Sequence, residues 1–376
     1  MSVFRQGKWC MKSVNKKILI LINYDAGLYG FRKELLETLV DNQSEVYCSF
    51  PFGDKTDKIK NIGCECIDTK ISRRGTNPVE DFKLLLNYIK LIRKIKPDVV
   101  LTYTIKPNVY GGMACRIMRV PYIANITGLG TAVQNGGLMQ KLTLMLYKIG
   151  LKKAKMVFFQ NAENQHFMLK NKVVKGKCDL LPGSGVNLKQ HCFEEYPKSD
   201  EQMVLLTIGR IMKDKGTNEI LQAAKIIKAE HPNVVFRFIG SIDGSCNEQL
   251  TQALNEGVVE HIENQPQVHT FIAESHATLH ASYHEGMSNV LLETAASGRP
   301  VIATKVAGCR ETFDEGISGI GFEAKSVDDL VRAVKEFLAL TNEQRAQMGI
   351  AGRKKMEKEF DREIIIKKYI EILKEL

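Results

Sequence analysis

The sequence predicts an α/β protein made of two tandem doubly wound, Rossmann-like domains that face a central cleft. Short apolar runs alternate with helix-like segments, the pattern of parallel strands covered on both faces by helices. The alternation pauses once, around residues 180–202, and then begins again. With 376 residues, 44% of them hydrophobic and 26% charged, the composition is ordinary for a globular chain and leaves room for two domains of roughly 100–200 residues.

The first series of strand-like runs is KILILINY (17–24), EVYCSF (45–50), DVVLTYT (98–104), PYIANIT (121–127) and KMVFFQN (155–161). Between them, FRKELLETLV (31–40) and VEDFKLLLNYIKLIRKI (79–95) have helical character, and Lys96-Pro97-Asp98 stops the second helix and starts the next strand. The polar, proline-containing stretch at 180–202 holds the linker, placed near 190–200. A second series follows: MVLLTIGR (203–210), VVFRFIG (234–240), ATLHAS (277–282) and PVIAT (300–304). A long charged helix, from roughly 356 to 376, closes the chain. The expected boundaries are residues 1–192 for the first domain and 193–357 for the second. Ligands in such sheets bind at the carboxyl ends of the strands, so the cleft between the domains is the expected site.

Charge divides the chain. The formal net charge is +10, yet residues 1–190 carry 31 Lys+Arg against 14 Asp+Glu, and residues 191–376 carry 22 against 29. The halves therefore stand at +17 and −7, which points to domains meeting different partners. A basic half suits nucleic acid, an anionic membrane surface or a phosphorylated substrate. Nucleic acid is the weakest of these, because no helix-turn-helix, zinc-finger or RNP-like pattern appears and the lysines sit among Leu and Ile, not stacking aromatics.

Nine cysteines, an odd and scattered set, fit reduced thiols in a cytoplasmic protein; Cys64 and Cys66 form a C-x-C with no second half at zinc-site spacing. No apolar run reaches the roughly 18–20 residues that span a bilayer. The basic start with its brief apolar stretch reads as a short leader before the first strand, with Met11 a candidate beginning of the folded part.

The most informative stretch is YHEGMSNVLLETAASGRPVIAT (283–304), where a strand is followed by a Glu-Gly turn and a helix that starts near Ser288. Glu293 lies one turn beyond Asn289 on that helix, and Glu285 sits on the loop before it. A helix N-terminus offers unpaired N–H groups to a diphosphate. A carboxylate a turn further in can accept both hydroxyls of a ribose, and the loop carboxylate those of an attached sugar. A solvated helix face and a plain turn are the bland alternative for each glutamate alone.

In IGRIMKDKGTNEIL (208–221), Gly209 lets the backbone turn at a strand end, and Arg210 and Lys215 follow. An Arg fork plus a Lys point charge can neutralise a diphosphate without a metal. No acidic metal-binding motif stands out, since Asp328-Asp329 reads as a helix cap. NYDAGLYGFRKEL (23–35) places Gly27 and Gly30 on a loop after the first strand, where close approach to a ligand and tight strand–helix packing explain them equally well. It lacks the G-x-G-x-x-G dinucleotide fingerprint, which disfavours an NAD-dependent dehydrogenase. Two more strand-end loops, TYTIKPNVYGG (102–112) and ITGLGTAVQ (126–134), face the same cleft. Lys106 suits an acceptor phosphate and suits a plain surface lysine just as well.

These residues, in this order, resemble the family-4 retaining glycosyltransferases of GT-B fold. The likeness rests on the E-x7-E pair Glu285 and Glu293, the G-R-x4-K segment of Gly209, Arg210 and Lys215, and the closing helix, and it covers nearly the whole chain from about Lys17. The TIKPNVYG and NITGLGTA loops look like the branch containing capsular-polysaccharide and lipid-linked-oligosaccharide transferases. The resemblance implies an acceptor-binding first domain, completed by the closing helix 358–376, and a nucleotide-sugar-binding second domain. It implies that Glu285 binds donor-sugar hydroxyls, Arg210 and Lys215 the diphosphate, and Glu293 the ribose. Backbone amides of Met287, Ser288 and Asn289 would support sugar and phosphate, Val268 would border the uracil pocket, and Thr127 and Gly128 would meet the acceptor. Many relatives place a histidine where Thr127-Gly128-Leu129-Gly130 stands here, so no histidine role carries over.

The resulting expectation is a metal-independent enzyme, without cofactor, that moves a hexose or N-acetylhexosamine from a UDP-sugar to a lipid-linked glycan. With no carboxylate nucleophile evident in the first domain's loops, same-face transfer is expected, the departing diphosphate taking the acceptor proton. A UDP-sugar 2-epimerase of the same plan, kept open by His284 beside Glu285, and a non-catalytic sugar-nucleotide sensor are the alternatives. GLMQKLTLMLYKIGLKKAKM (137–156) lines up Lys141, Lys148, Lys152 and Lys155 beside a stripe of Leu138, Leu142, Met145 and Ile149. It reads either as a helix docking on anionic lipid or as a surface helix with its stripe in the core, the second being favoured for the helix alone.

Overall fold

The computed structural model describes residues 14–72, 77–130, 133, 136–198, 201–265 and 267–376. The leader and Met11 lie outside the described residues, as do Thr131, Ala132 and Gln134 of the second cleft loop.

The first lobe runs β1 (Lys17–Leu21), α1 (Asp25–Asp41), β2 (Glu45–Phe50), α2 (Thr56–Lys60), β3 (Glu65–Asp68), α3 (Pro78–Ile95) and β4 (Val99–Tyr103). It continues with α4 (Gly112–Met118), β5 (Tyr122–Ile126), α5 (Gly137–Gly150), β6 (Met156–Phe159), α6 (Ala162–Lys170) and β7 (Cys178–Leu180). The sheet order is β3-β2-β1-β4-β5-β6-β7, and every pair is parallel. The central strands are mostly apolar because both faces are covered: in β1, Ile18 and Ile20 face one core, Leu19 and Leu21 the other. Asn77 caps α3 by accepting from the Val79 amide, with Pro78 at its first position, and Lys96 ends it in the left-handed conformation at φ 52°.

The second lobe runs β8 (Met203–Ile208), α7 (Thr217–Glu230), β9 (Val234–Ile239), α8 (Asn247–Asn255), β10 (Val259–Ile262), α9 (His269–Glu274) and β11 (Ala277–His280). After these come α10 (Asn289–Ala296), β12 (Val301–Thr304), β13 (Gly319–Phe322), α11 (Val327–Leu338) and α12 (Asn342–Lys355). Its parallel order is β10-β9-β8-β11-β12-β13. Each sheet reverses its winding once, between β1 and β4 and between β8 and β11, and the crevice at such a switch point is where open α/β sheets hold ligands.

The closing helix is not continuous. A π-helical turn (Met356–Phe360) ends α12, Asp361 breaks the path with ψ 129° and caps the amide of Glu363, and α13 (Arg362–Glu375) follows. The last helix leaves the second lobe and buries Ile365, Ile366, Tyr369, Ile370 and Leu373 in the first lobe's core. Each such side chain contributes roughly 1.5–3 kcal/mol. Arg362 ion-pairs with Glu34 at 2.7 Å and donates to the carbonyl of Gly185, so the last crossing is tied to the connector as well.

Four strands escaped the sequence reading: β3, β7, β10 and β13. All are short, and all lie at sheet edges, where one side needs no strand partner and charged or glycine residues are tolerated. Two expected loops are helical. Gly27 and Gly30 lie inside α1, and residues Pro107–Gly111 form a π-helical turn leading into α4. The stripe on α5 turns outward: Leu138, Leu142 and Met145 are exposed, with Leu138 82% so, while Thr143, Tyr147 and Gly150 face the core. The core-facing reading of that stripe is therefore corrected.

Candidate functional site

Two loops at the switch point of the second sheet build the site. β8 leads to Gly209, whose φ of 134° only glycine adopts readily, and then to Arg210. A 3-10 turn, Lys213–Lys215, ends at Gly216 in the left-handed region at φ 70°. A Cβ on Gly216 would stand 2.2 Å from the carbonyl oxygen of Ala281, so this glycine lets the loop after β8 lie against the loop after β11. Tyr283 N donates to Asp214 O at 3.0 Å across the same seam.

That apposition joins Lys215 to Glu285. The Lys215 ammonium pairs with Glu285 Oε1, and His280 Nε2 lies 3.2 Å from the same oxygen. Burial opposes ionisation of Glu285, but the His280 hydrogen bond and the Lys215 charge outweigh it and hold the carboxyl well below the usual carboxylate range. His280 Nε2 also meets Ser288 Oγ at 3.2 Å. The expected separate duties of Glu285 and Lys215 thus start from one ion pair. Arg210 is different: it is exposed and makes no ion pair or hydrogen bond among the described residues, which leaves its guanidinium available to an incoming anion.

Glu285 and Gly286 also touch the first lobe. Asn161 Nδ2 donates to Gly286 O at 2.7 Å and reaches Glu285 O at 3.3 Å. A Cβ on Gly286 would stand 2.0 Å from Thr127 O, and the Cβ position of Gly128, at φ 147°, lies 3.9 Å from Gly286. Thr127 and Gly128 are therefore at the site, facing the Glu-Gly turn across the cleft. Gly308 closes the floor, since a Cβ there would sit 2.8 Å from the Glu285 carbonyl.

The N-terminus of α10 follows. Its cap residue Ser288 accepts no side-chain capping bond, and its amide already donates to Gly308 O at 2.8 Å. The expectation of a Ser288 amide offered to ligand is corrected on that ground; its hydroxyl faces His280 instead. Asn289 Oδ1 accepts from Ser184 Oγ at 2.7 Å. Met287 sends its side chain into a core of Val186, Leu292, Met356 and Phe360, so only its backbone can serve a ligand. Glu293, on the first turns of α10, is part-buried with His191 Nε2 4.0 Å away. Burial raises its carboxyl to about 7, against a smaller opposing pull from Arg362. His191 Nδ1 is buried with no hydrogen-bond partner among the described residues, so this pocket has polar capacity that hydroxyl groups could take up. Val268 precedes α9 and packs beside Leu206, Ile239 and Ile272.

Two expected site residues are otherwise engaged. Lys106 pairs with Asp81 of α3 at 2.7 Å, and Tyr110 OH donates to the same carboxylate at 2.9 Å, so its charge is balanced within the lobe. At Gly27, which is buried, the Tyr24 ring fills the place of a Cβ, its Cζ only 2.1 Å from that position, so the missing side chain serves local packing. His280, Asn161 and Gly308 were missed. The signal available for His280 was its place at the end of a central strand beside the switch point, for the others a strand-end position alone. Among the described residues one cluster of metal-type ligands occurs, Cys192, Glu194 and His269, none of them on the loops that carry Lys215 and Glu285.

A pair of doubly wound lobes meeting at a cleft with this loop arrangement is the GT-B architecture. Residues 17–161 match the family described as "Glycosyl transferase 4-like" and residues 189–355 that described as "Glycosyl transferases group 1", and the chain belongs to these glycosyltransferases. It is 24% identical over 374 residues to the N,N'-diacetylbacillosaminyl-diphospho-undecaprenol alpha-1,3-N-acetylgalactosaminyltransferase of Campylobacter jejuni, covering 95% of this chain and 98% of that one. It is 29% identical over 371 residues to the capsular polysaccharide biosynthesis glycosyltransferase CapM of Staphylococcus aureus, covering 93% and 95%. The crystal structure of Anabaena HepE in complex with UDP and glucose superposes with a TM-score of 0.78 at 16% identity, covering 96% of this chain and 100% of that one. None of the described helices is long and apolar enough to cross a membrane.

Proposed function

We propose that this glycosyltransferase moves a hexose or N-acetylhexosamine from a UDP-sugar to a polyprenyl-diphosphate-linked glycan, with retention and without a metal, in cell-surface polysaccharide or glycan assembly. The observation that carries this is the Lys215–Glu285–His280 cluster, set beside an unpartnered Arg210 and the start of α10, opposite Thr127 and Gly128. The donor diphosphate lies between Arg210, Lys215 and the N–H groups that open α10, and the sugar hydroxyls lie on Glu285. The ribose hydroxyls lie on Glu293. The bond from C1 to the diphosphate oxygen breaks as the acceptor hydroxyl oxygen bonds C1 on the same face, and the acceptor proton passes to the departing diphosphate. Charge grows on that oxygen, and the preorganised cations and helix end favour it there. Glu285 orients Lys215 before the donor arrives.

A lipid-linked acceptor is supported by the diphospho-undecaprenol substrate for which the Campylobacter relative is named and by the face of α5. Exposed Leu138, Leu142 and Met145 stand with exposed Lys141, Lys148, Lys152 and Lys155, which suits shallow docking on an anionic bilayer.

A thermal-shift screen of UDP-sugars identifies the donor, because a ligand that binds the folded state alone raises its stability. The chosen donor is then incubated with a polyprenyl-diphosphate sugar, and the product's anomeric configuration is read by NMR. An α linkage from an α-configured donor is expected. A β linkage, or a new sugar nucleotide formed without acceptor, contradicts the proposal.

A further inference from the structure

The connector between the two sheets is bound to the second lobe through an unusual contact. Arg299, only 1% exposed, donates from Nε to Ser275 O and from its two terminal nitrogens to carbonyls that include Glu194 O and Glu195 O. This fixes the backbone at Glu194 beside the start of α9. Three side chains then converge. Cys192 Sγ lies 3.1 Å from Glu194 Oε1 and 3.5 Å from His269 Nε2, and those last two atoms are 2.9 Å apart. Bonds of roughly 2.0–2.3 Å spread at the tetrahedral angle hold ligand atoms roughly 3.3–3.6 Å apart. Of the observed separations, 3.5 Å falls within that range and 2.9 and 3.1 Å fall just short of it, so a bound ion would spread the triangle by a few tenths of an ångström.

Proton counting sharpens the point. Ser297 Oγ lies 2.9 Å from Glu293 O and 3.3 Å from His269 Nδ1. Its single proton goes to the carbonyl, so the hydroxyl accepts from Nδ1–H. Neutral imidazole then turns the Nε2 lone pair toward a carboxylate oxygen and a sulfur. The Cys192 thiol proton now lies in that space as a donor to Glu194 Oε1, and a cation bound to all three groups would replace it. A hydrogen bond at the far ring nitrogen is also the device that orients metal-ligating histidines. Cys192 is exposed, which leaves a fourth position open to water.

We propose that Cys192, Glu194 and His269 form a binding site for a soft divalent transition-metal ion of the zinc class, which clasps the connector onto α9. Thiolate, imidazole and carboxylate together select such an ion over magnesium or calcium, which prefer oxygen alone. The clasp is separate from the loops that carry Arg210, Lys215 and Glu285, and sugar transfer proceeds without it.

Cobalt is the probe. Full-length protein is stripped with chelator, desalted under reducing conditions and titrated with Co(II), for wild type, Cys192→Ser and Glu194→Gln. Wild type develops visible d–d bands and a near-ultraviolet thiolate charge-transfer band at one equivalent, and zinc erases both. Cys192→Ser loses the charge-transfer band and binds at least tenfold more weakly, Glu194→Gln keeps the band with weaker binding, and a given zinc concentration raises the melting midpoint of wild type more than that of either variant. Transferase turnover of Cys192→Ser equals wild type. Spectra that match between wild type and Cys192→Ser, or the absence of bands in wild type, overturn the proposal. Cys192 is exposed and Glu194 half-buried, and circular dichroism verifies the fold of both variants before titration.

Discussion

Replacing Glu293 by Gln isolates the energetic consequence of burying the proposed ribose ligand. Burial moves this carboxyl from its ordinary 4.5 to about 7 in the folded protein. At roughly 1.4 kcal/mol per pH unit, ionising it inside the fold costs about 3 kcal/mol relative to ionising it in the unfolded chain. Below pH 4.5 the group is protonated in both states and the penalty is absent. Between 4.5 and about 7 the folded protein holds a proton that the unfolded chain has released, so stability falls as pH rises, and above about 7 the full penalty stands. His191, which burial lowers from 6.5 to about 4, has the opposite linkage between those two values, but it is common to both proteins and cancels in their difference. Gln matches the protonated acid in shape and cannot ionise. Urea unfolding at pH 5 and pH 8 is therefore expected to show Glu293→Gln within about 1 kcal/mol of wild type at the lower pH and more stable by about 3 kcal/mol at the higher. UDP affinity should move the opposite way at pH 8, because the amide lacks the charge that accepts two hydroxyl protons. Parallel stability–pH lines for the two proteins would refute the assignment of a buried, proton-holding Glu293.

Other outcomes follow from the same geometry. Arg210→Ala or Lys215→Ala should lower turnover 100-fold or more with folding retained, since loss of one preorganised donor raises such barriers by about 2.7–4 kcal/mol; steady-state kinetics beside circular dichroism checks this, and near-wild-type turnover removes the residue from the site. Arg299→Met should destabilise by at least about 3 kcal/mol in urea, because it strands a group of buried carbonyls that the guanidinium now satisfies. A loss under 1 kcal/mol would show that water or a rearranged connector replaces it.

The residues that the sequence made legible are those in which pattern and chemistry coincide. β1, β4, β6, β8 and β12 read as short, mostly apolar runs because both of their faces are buried. Edge strands such as β3 and β10 carry Glu and His on an open side and lose that signature. Arg210, Lys215 and Glu285 were visible as charges at strand ends. What the sequence hides is pairing across a fold: Lys106 reads as a free cation until Asp81, 25 positions earlier, is seen against it. Gly27 reads as a ligand-facing glycine until the Tyr24 ring occupies its space. His280 was hidden because nothing in ATLHAS shows that its last strand residue reaches the carboxylate five positions on. The α5 stripe shows the same limit from the other side, since periodicity reveals an apolar face without revealing which way it points.

The proposed cationic, metal-free grip on an activated sugar's diphosphate is tested most directly by calorimetric titration of UDP into wild type and the Arg210→Ala and Lys215→Ala variants, in excess chelator and again with magnesium or manganese. Binding that persists in chelator, is unchanged by either ion and weakens tenfold or more in each variant is the expected result. Binding that vanishes in chelator and returns with the ion, or that ignores both substitutions, would contradict it.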